Sequence, residues 1–177
     1  MNEIVKEYSS GLFALAAEER TEDAILGELR LLAPLFTDEY VHLLINPNIP
    51  KDERIALVAE TLDGRVDPYV ASFVKLLTER GLATEIKDCF KEYERLWYEN
   101  SGVVRVTAES TVPLTDAQRE KLEKKLSSHI GHPVEVTYVI NRALLGGMRI
   151  SYDNKLIDDS AATKLREIGE RLSGVVL

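Results

Sequence analysis

Apolar residues recur every three or four positions from the start of the chain to Asn100, and every second position from Val103 onward. The first spacing lines one face of a helix, and the second lines one face of a half-buried strand. Beyond Ser101-Gly102, Val104, Val106 and Ala108 fall on one side, with Arg105, Thr107 and Glu109 on the other. The chain is therefore predicted to be α+β. A six-helix bundle over residues 1–102 precedes a small α/β domain over residues 103–177, ordered strand-helix-strand-hairpin-helix.

The first helix is expected from Glu3 to Glu18, with Ile4, Val5, Tyr8, Leu12, Leu15 and Ala16 as its stripe. Thr21-Glu22-Asp23 reads as a cap for the second helix, which must bend or break near Pro34 because proline lacks a backbone donor. A third helix covers Asp38 to Ile45, and Pro50 is placed in the first turn of a fourth. Asp67-Pro68 starts the fifth, Gly81 stops it, and Thr84 opens the sixth. In the second domain Val103–Ser110 and the run from Val134 are strands. Thr115 and Gln118 have capping-box spacing, and Gly131 ends the helix they open. Asp153-Asn154 turns a hairpin, and Asp158-Asp159-Ser160 caps a last helix bearing Leu165, Ile168 and Leu172.

Charge narrows the partners. Residues 1–100 hold 11 Lys and Arg against 20 Asp and Glu, net −9, whereas residues 101–177 are at +1. An acidic half repels phosphate backbones, and the near-neutral half lacks an aromatic-rich basic sheet, so no nucleic-acid partner is expected. The longest apolar runs are too short to cross a bilayer, and the N-terminus has no signal-peptide pattern, so no direct membrane insertion is expected. One cysteine, Cys89, excludes an internal disulfide and fits a reducing cytoplasm.

Catalytic chemistry finds no footing. His129 and His132 stand three apart, with Glu135 near, but a zinc site needs a fuller ligand set. His42 reads as a structural residue among apolar neighbours, and Cys89, mid-helix without a histidine or cap, as a packing residue. Gly146-Gly147 lacks the lysine and spacing of a phosphate loop; such glycines before a strand permit a close backbone approach or a bulge. No catalytic residue, cofactor or metal is expected. A site scattered around His129, His132 and Glu135, or a helical adaptor of another system, are the rival readings.

Binding surface remains. In the fifth helix Val70, Phe73, Val74 and Leu77 form a stripe that Tyr69, Ser72 and Leu76 widen, and Gly11 and Phe13 widen the first helix likewise. Two readings fit: central positions in the bundle, or a groove between helices one and five that receives an amphipathic helix. Gly11 would then admit the partner's backbone closely.

Several runs, weak singly, are distinctive in their order. They are Tyr8-Ser9-Ser10-Gly11-Leu12-Phe13-Ala14, the loop Asn46 to Arg54, then Leu144-Leu145-Gly146-Gly147-Met148-Arg149-Ile150 and Leu156-Ile157-Asp158-Asp159-Ser160. Over essentially its whole length the chain resembles the delta subunit of bacterial F-type ATP synthases, the counterpart of the mitochondrial oligomycin-sensitivity-conferring protein. It departs at Arg80-Gly81-Leu82, where that family often has asparagine-glycine-arginine. The resemblance implies a non-catalytic stator connector, peripheral on the cytoplasmic side of the bacterial plasma membrane. Its partners would be the N-terminal helices of the alpha subunits and the b subunits of the peripheral stalk. By position, the groove would hold Tyr8, Gly11, Leu12, Tyr69, Ser72 and Leu76. Gly146, Gly147, Asp158 and Ser160 would carry the family signature and shape the fold.

Overall fold

The structure, a computed structural model, describes residues 2–165. It forms two compact units, the first ending at Asn100 and the second beginning at Ser101. Six α-helices precede the sheet: α1 (Glu3–Glu19), α2 (Glu22–Leu32), α3 (Asp38–Ile45), α4 (Lys51–Leu62), α5 (Pro68–Glu79) and α6 (Ile86–Ser101).

Local chemistry sets their ends. The Asn2 side chain accepts from the Ile4 amide, and α1 stops where Arg20 turns left-handed at φ 58°. Thr21 does not cap α2 with its side chain. Its backbone, at φ −114° and ψ 15°, is not in the extended geometry a cap favours, and its amide donates to the Ala16 carbonyl. At Pro34 the helix gives way to a 3-10 turn over Ala33–Leu35. Thr37 caps α3 by accepting from the Tyr40 amide. Pro50 occupies the cap position of α4 rather than its first turn. The Asp67 carboxylate accepts from the Tyr69 amide at the start of α5, while the Asp67 amide donates to Glu28 of α2 at 2.8 Å. Gly81 follows α5 at φ 73°, and a 3-10 turn over Ala83–Glu85 leads into α6, so the expected start at Thr84 falls inside that turn.

The core of this unit draws on every helix: Val5 and Leu12, Ile25 and Leu29, Leu44, Val58, Val70 and Val74, Ile86 and Tyr93. Phe36 meets the Phe90 edge at 5.7 Å, an arrangement worth about 1 kcal/mol beyond burial. Ser9 is fully buried, and its hydroxyl donates to the Cys89 carbonyl at 3.0 Å, which ties α1 to α6. A bulkier side chain would hold those helices apart.

The second unit is a four-stranded sheet with a crossover helix. Its elements are β1 (Val104–Ser110), α7 (Asp116–Ile130), β2 (Val134–Ile140), β3 (Met148–Tyr152) and β4 (Lys155–Asp158), in the sheet order β2-β1-β3-β4. β1 runs parallel to β2, with Val106 opposite Val136, and antiparallel to β3, with Ala108 opposite Ile150. The parallel pair requires a long crossover, which α7 supplies. Thr115 and Gln118 form the capping box, and Gly131 closes α7 at φ 82°. Asp153 and Asn154, both at positive φ, make the two-residue turn from β3 to β4. Val106 and Ala108 of β1 and Leu126 of α7 are buried. Residues 161–165 are helical; Ile168 and Leu172, expected on the same helix, lie outside the described residues.

Candidate functional site

Helices α1 and α5 leave between them an open depression of about 560 Å³. It is lined by Glu7, Tyr8, Gly11, Leu12 and Leu15 from α1, and by Tyr69, Ser72, Phe73 and Leu76 from α5. All six residues placed in the groove by resemblance lie on its wall. Their roles differ. Leu12 and Phe73 are buried and form the floor, Tyr8 and Tyr69 are half-buried, and Gly11 and Ser72 open to solvent. Leu15 and Leu76 are 44% and 37% exposed, an apolar display that a closed core would not leave. A Cβ built on Gly11 meets no atom within 4 Å, so the glycine keeps the groove wall low rather than relieving a clash inside the protein.

Sequence reasoning about the groove missed Glu7, Leu15 and Phe73 as lining residues. Leu15 and Phe73 belong to the apolar stripes of their helices in the sequence. An apolar stripe does not register a charged residue such as Glu7, although positions 7, 8, 11, 12 and 15 share one helical face. The lining holds one carboxylate, two phenols and the Ser72 hydroxyl, with no hydrogen bond between Ser72 and Glu7. That set supplies neither a nucleophile with its base nor a ligand set for a metal.

Other candidate groups stand apart from the groove. His42 is exposed rather than packed among apolar neighbours. His129 and His132 are exposed, Glu135 lies in β2 opposite Arg105, and no three His, Cys, Asp or Glu among the described residues are grouped to hold a metal. Cys89 is buried, and that burial pushes its thiol up to about 11, away from thiolate chemistry.

Gly146, Gly147, Asp158 and Ser160 converge where β3 begins and β4 ends. The Gly146 carbonyl accepts from the Ala161 amide at 2.9 Å, and the Met148 carbonyl accepts from the Asp159 amide at 3.0 Å. Gly147 sits at φ 78°, and a Cβ there would lie 2.3 Å from the Asp159 carbonyl oxygen. Asp158 accepts from the Ser160 amide, the Thr163 hydroxyl and the Arg149 guanidinium, all near 3 Å. The Ser160 hydrogen bonds, side chain and backbone, lead in holding its carboxyl well below the usual range. Ser160, fully buried, accepts from the Thr163 amide. These four residues lock the segment after β4 onto the start of β3.

One unit thus carries an apolar, helix-lined groove, and the other a hydrogen-bonded junction at the end of its sheet. The chain belongs to the ATP synthase delta (OSCP) subunit family, whose sequence model matches residues 4–172. It is a structural subunit and not an enzyme. It is 29% identical over 171 residues to ATP synthase subunit delta of Symbiobacterium thermophilum, covering 96% of this chain and 92% of that one. To the same subunit of Prochlorococcus marinus it is 30% identical, with 98% of each chain covered. Its fold matches a chain of the Toxoplasma gondii mitochondrial ATP synthase hexamer with TM-score 0.69 at 13% identity, covering 97% of this chain and 98% of that one. Among the described residues no helix is long and apolar enough to cross a membrane.

Proposed function

We infer that this chain is a stator connector of an F-type synthase, with a six-helix bundle over 1–102 gripping the catalytic head and the domain over 103–177 gripping the peripheral stalk. The occupant of the α1–α5 groove is then an N-terminal helix of an alpha subunit, and the b subunits dock on the second domain. The complex would work at the cytoplasmic side of a bacterial plasma membrane, with the chain held peripherally through its partners. The observation that carries the reading is the groove itself: exposed Leu15 and Leu76 flank a floor of Leu12 and Phe73, in a chain of this family.

The physical task is to resist torque. Rotation pushes the head around its axis, and a connector in series holds only as firmly as its weaker interface. A helix laid in a groove resists sliding when its side chains interdigitate, and a standard interface buries roughly 800 Å² on each partner. No bond is made or broken by the connector, which fits a lining without acid-base pairs.

The test is a calorimetric titration of the full chain with a synthetic peptide of the alpha subunit's N-terminal segment from the same synthase. Saturable one-to-one binding that is lost in Leu76→Asp supports the reading. Absence of binding by the unaltered chain refutes it.

A further inference from the structure

Glu7 is the one charged side chain lining the groove, and it makes no hydrogen bond or ion pair among the described residues. Several other carboxylates of this unit are engaged: Glu79 by Lys51, Asp63 by Lys75, Glu94 by Arg30, and Glu92 by Arg95. Within one turn of α1 the nearest cation is Lys6, whose position is not on the groove wall. The remaining lining is uncharged, and the surrounding unit carries net −9 over residues 1–100. An unpaired carboxylate beside an apolar floor is selective. It repels an acidic residue brought near it and attracts a basic one, more strongly as water is displaced.

We propose that Glu7 is a specificity residue of the groove: the occupant is an amphipathic helix carrying a lysine or arginine that pairs with Glu7. The proposal rests on the groove being a helix-docking site and adds the sign of the occupant's charge. The apolar stripe supplies affinity, and the Glu7 contact fixes register along the groove. The acidic field of the unit draws the basic helix in, so its signature is in the association rate and its salt dependence.

The experiment uses the full chain and the alpha N-terminal peptide of the same synthase, with association and dissociation rates measured from about 0.02 M to about 0.5 M salt, across which the Debye length shrinks severalfold. Glu7→Gln is expected to weaken binding about two- to fivefold at low salt, as for an exposed pair, and to flatten the salt dependence of the association rate. Glu7→Lys is expected to weaken it roughly tenfold or more, and reversal of one peptide lysine or arginine to glutamate should restore it. Glu7 is exposed, so Trp97 fluorescence and amide exchange in α1 of both variants should match the parent and separate a charge effect from misfolding. If both variants bind with parental affinity and salt slope, or if no single peptide reversal rescues Glu7→Lys, the Glu7 assignment is overturned while the groove stands. If the unaltered chain binds no peptide, both fall.

Discussion

Replacing Gly147 by alanine tests the tightest contact in the second unit. At φ 78° an alanine is strained by roughly 1–2 kcal/mol. The added Cβ would also sit 2.3 Å from the Asp159 carbonyl oxygen and 3.1 Å from the Ser160 Cα, both backbone atoms that cannot rotate away. Relief requires the segment to move by about 1 Å, since ordinary carbon contacts begin near 3.5 Å. That movement breaks or stretches the Asp159-to-Met148 and Ala161-to-Gly146 hydrogen bonds, each worth about 1 kcal/mol. The total is about 3–4 kcal/mol. Gly131→Ala is the internal control. Its φ of 82° imposes similar strain, but its Cβ meets nothing within 4 Å, so it should cost about 1 kcal/mol. A single melting temperature is ill-defined for a two-unit chain. Amide exchange in β1 follows the second unit instead, with fluorescence of Trp97, the sole tryptophan, as a control on the first. A 2 kcal/mol difference between the variants predicts about thirtyfold faster β1 exchange in Gly147→Ala than in Gly131→Ala. Equal exchange in the two would refute the assignment of Gly147 to that carbonyl contact.

Gly11→Leu adds to an exposed groove wall a side chain whose Cβ meets no atom within 4 Å, so it should leave the first unit as stable or up to about 1 kcal/mol more stable while weakening alpha-peptide binding more than tenfold. Calorimetric titration, with amide exchange in α1 and α5 reporting the first unit's stability, checks both halves. Because the Asp158 carboxyl is held below its unfolded value, the unfolded chain takes up its proton first as acidity rises. The stability Asp158 contributes is full above about pH 4 and is lost below it, as pH falls through the folded value; β1 exchange should show a shallower acid dependence in Asp158→Asn. Cys89, with its thiol pushed up to about 11, should react with iodoacetamide at pH 8 at least a hundredfold more slowly in the folded chain than in denaturant, measured by mass shift over time.

Several local signals in the sequence are followed by the structure. Asp38–Ile45 has both ends marked, by Thr37 before it and Asn46-Pro47 after it, and the hairpin has adjacent residues suited to positive φ at Asp153-Asn154. Where two local signals competed, reading failed. Thr21 looks like a cap by residue type, but α1 ends one residue earlier with Arg20 left-handed, and that ending captures the Thr21 amide. Sheet order was not legible at all. A period of two tells which side chains share a face, yet β1 lies between β2 and β3 through pairings that no periodicity encodes. The need for Gly147 was visible only as a general preference for close approach; the atom it approaches, the Asp159 carbonyl oxygen, comes from twelve residues further on.

The groove shows the same division between what a helix face encodes and what it omits. A helix packed on one side spends about three apolar positions in seven, and α1 and α5 spend more. The surplus must be either buried by the unit's own helices or displayed. Val70, Val74 and Leu77 are fully buried, so the core of α5 is complete without Tyr69, Ser72 and Leu76. On α1, Val5, Leu12 and Ala16 do the same work and leave Leu15 outside. Surplus apolar residues on two neighbouring helices therefore line open space between them, and the proposed helix-docking role rests on that display. Apolar counting finds such a groove but is blind to its polarity. Glu7 is invisible to it, and Glu7 is the residue through which, on the specificity proposal, this groove would distinguish one amphipathic helix from another.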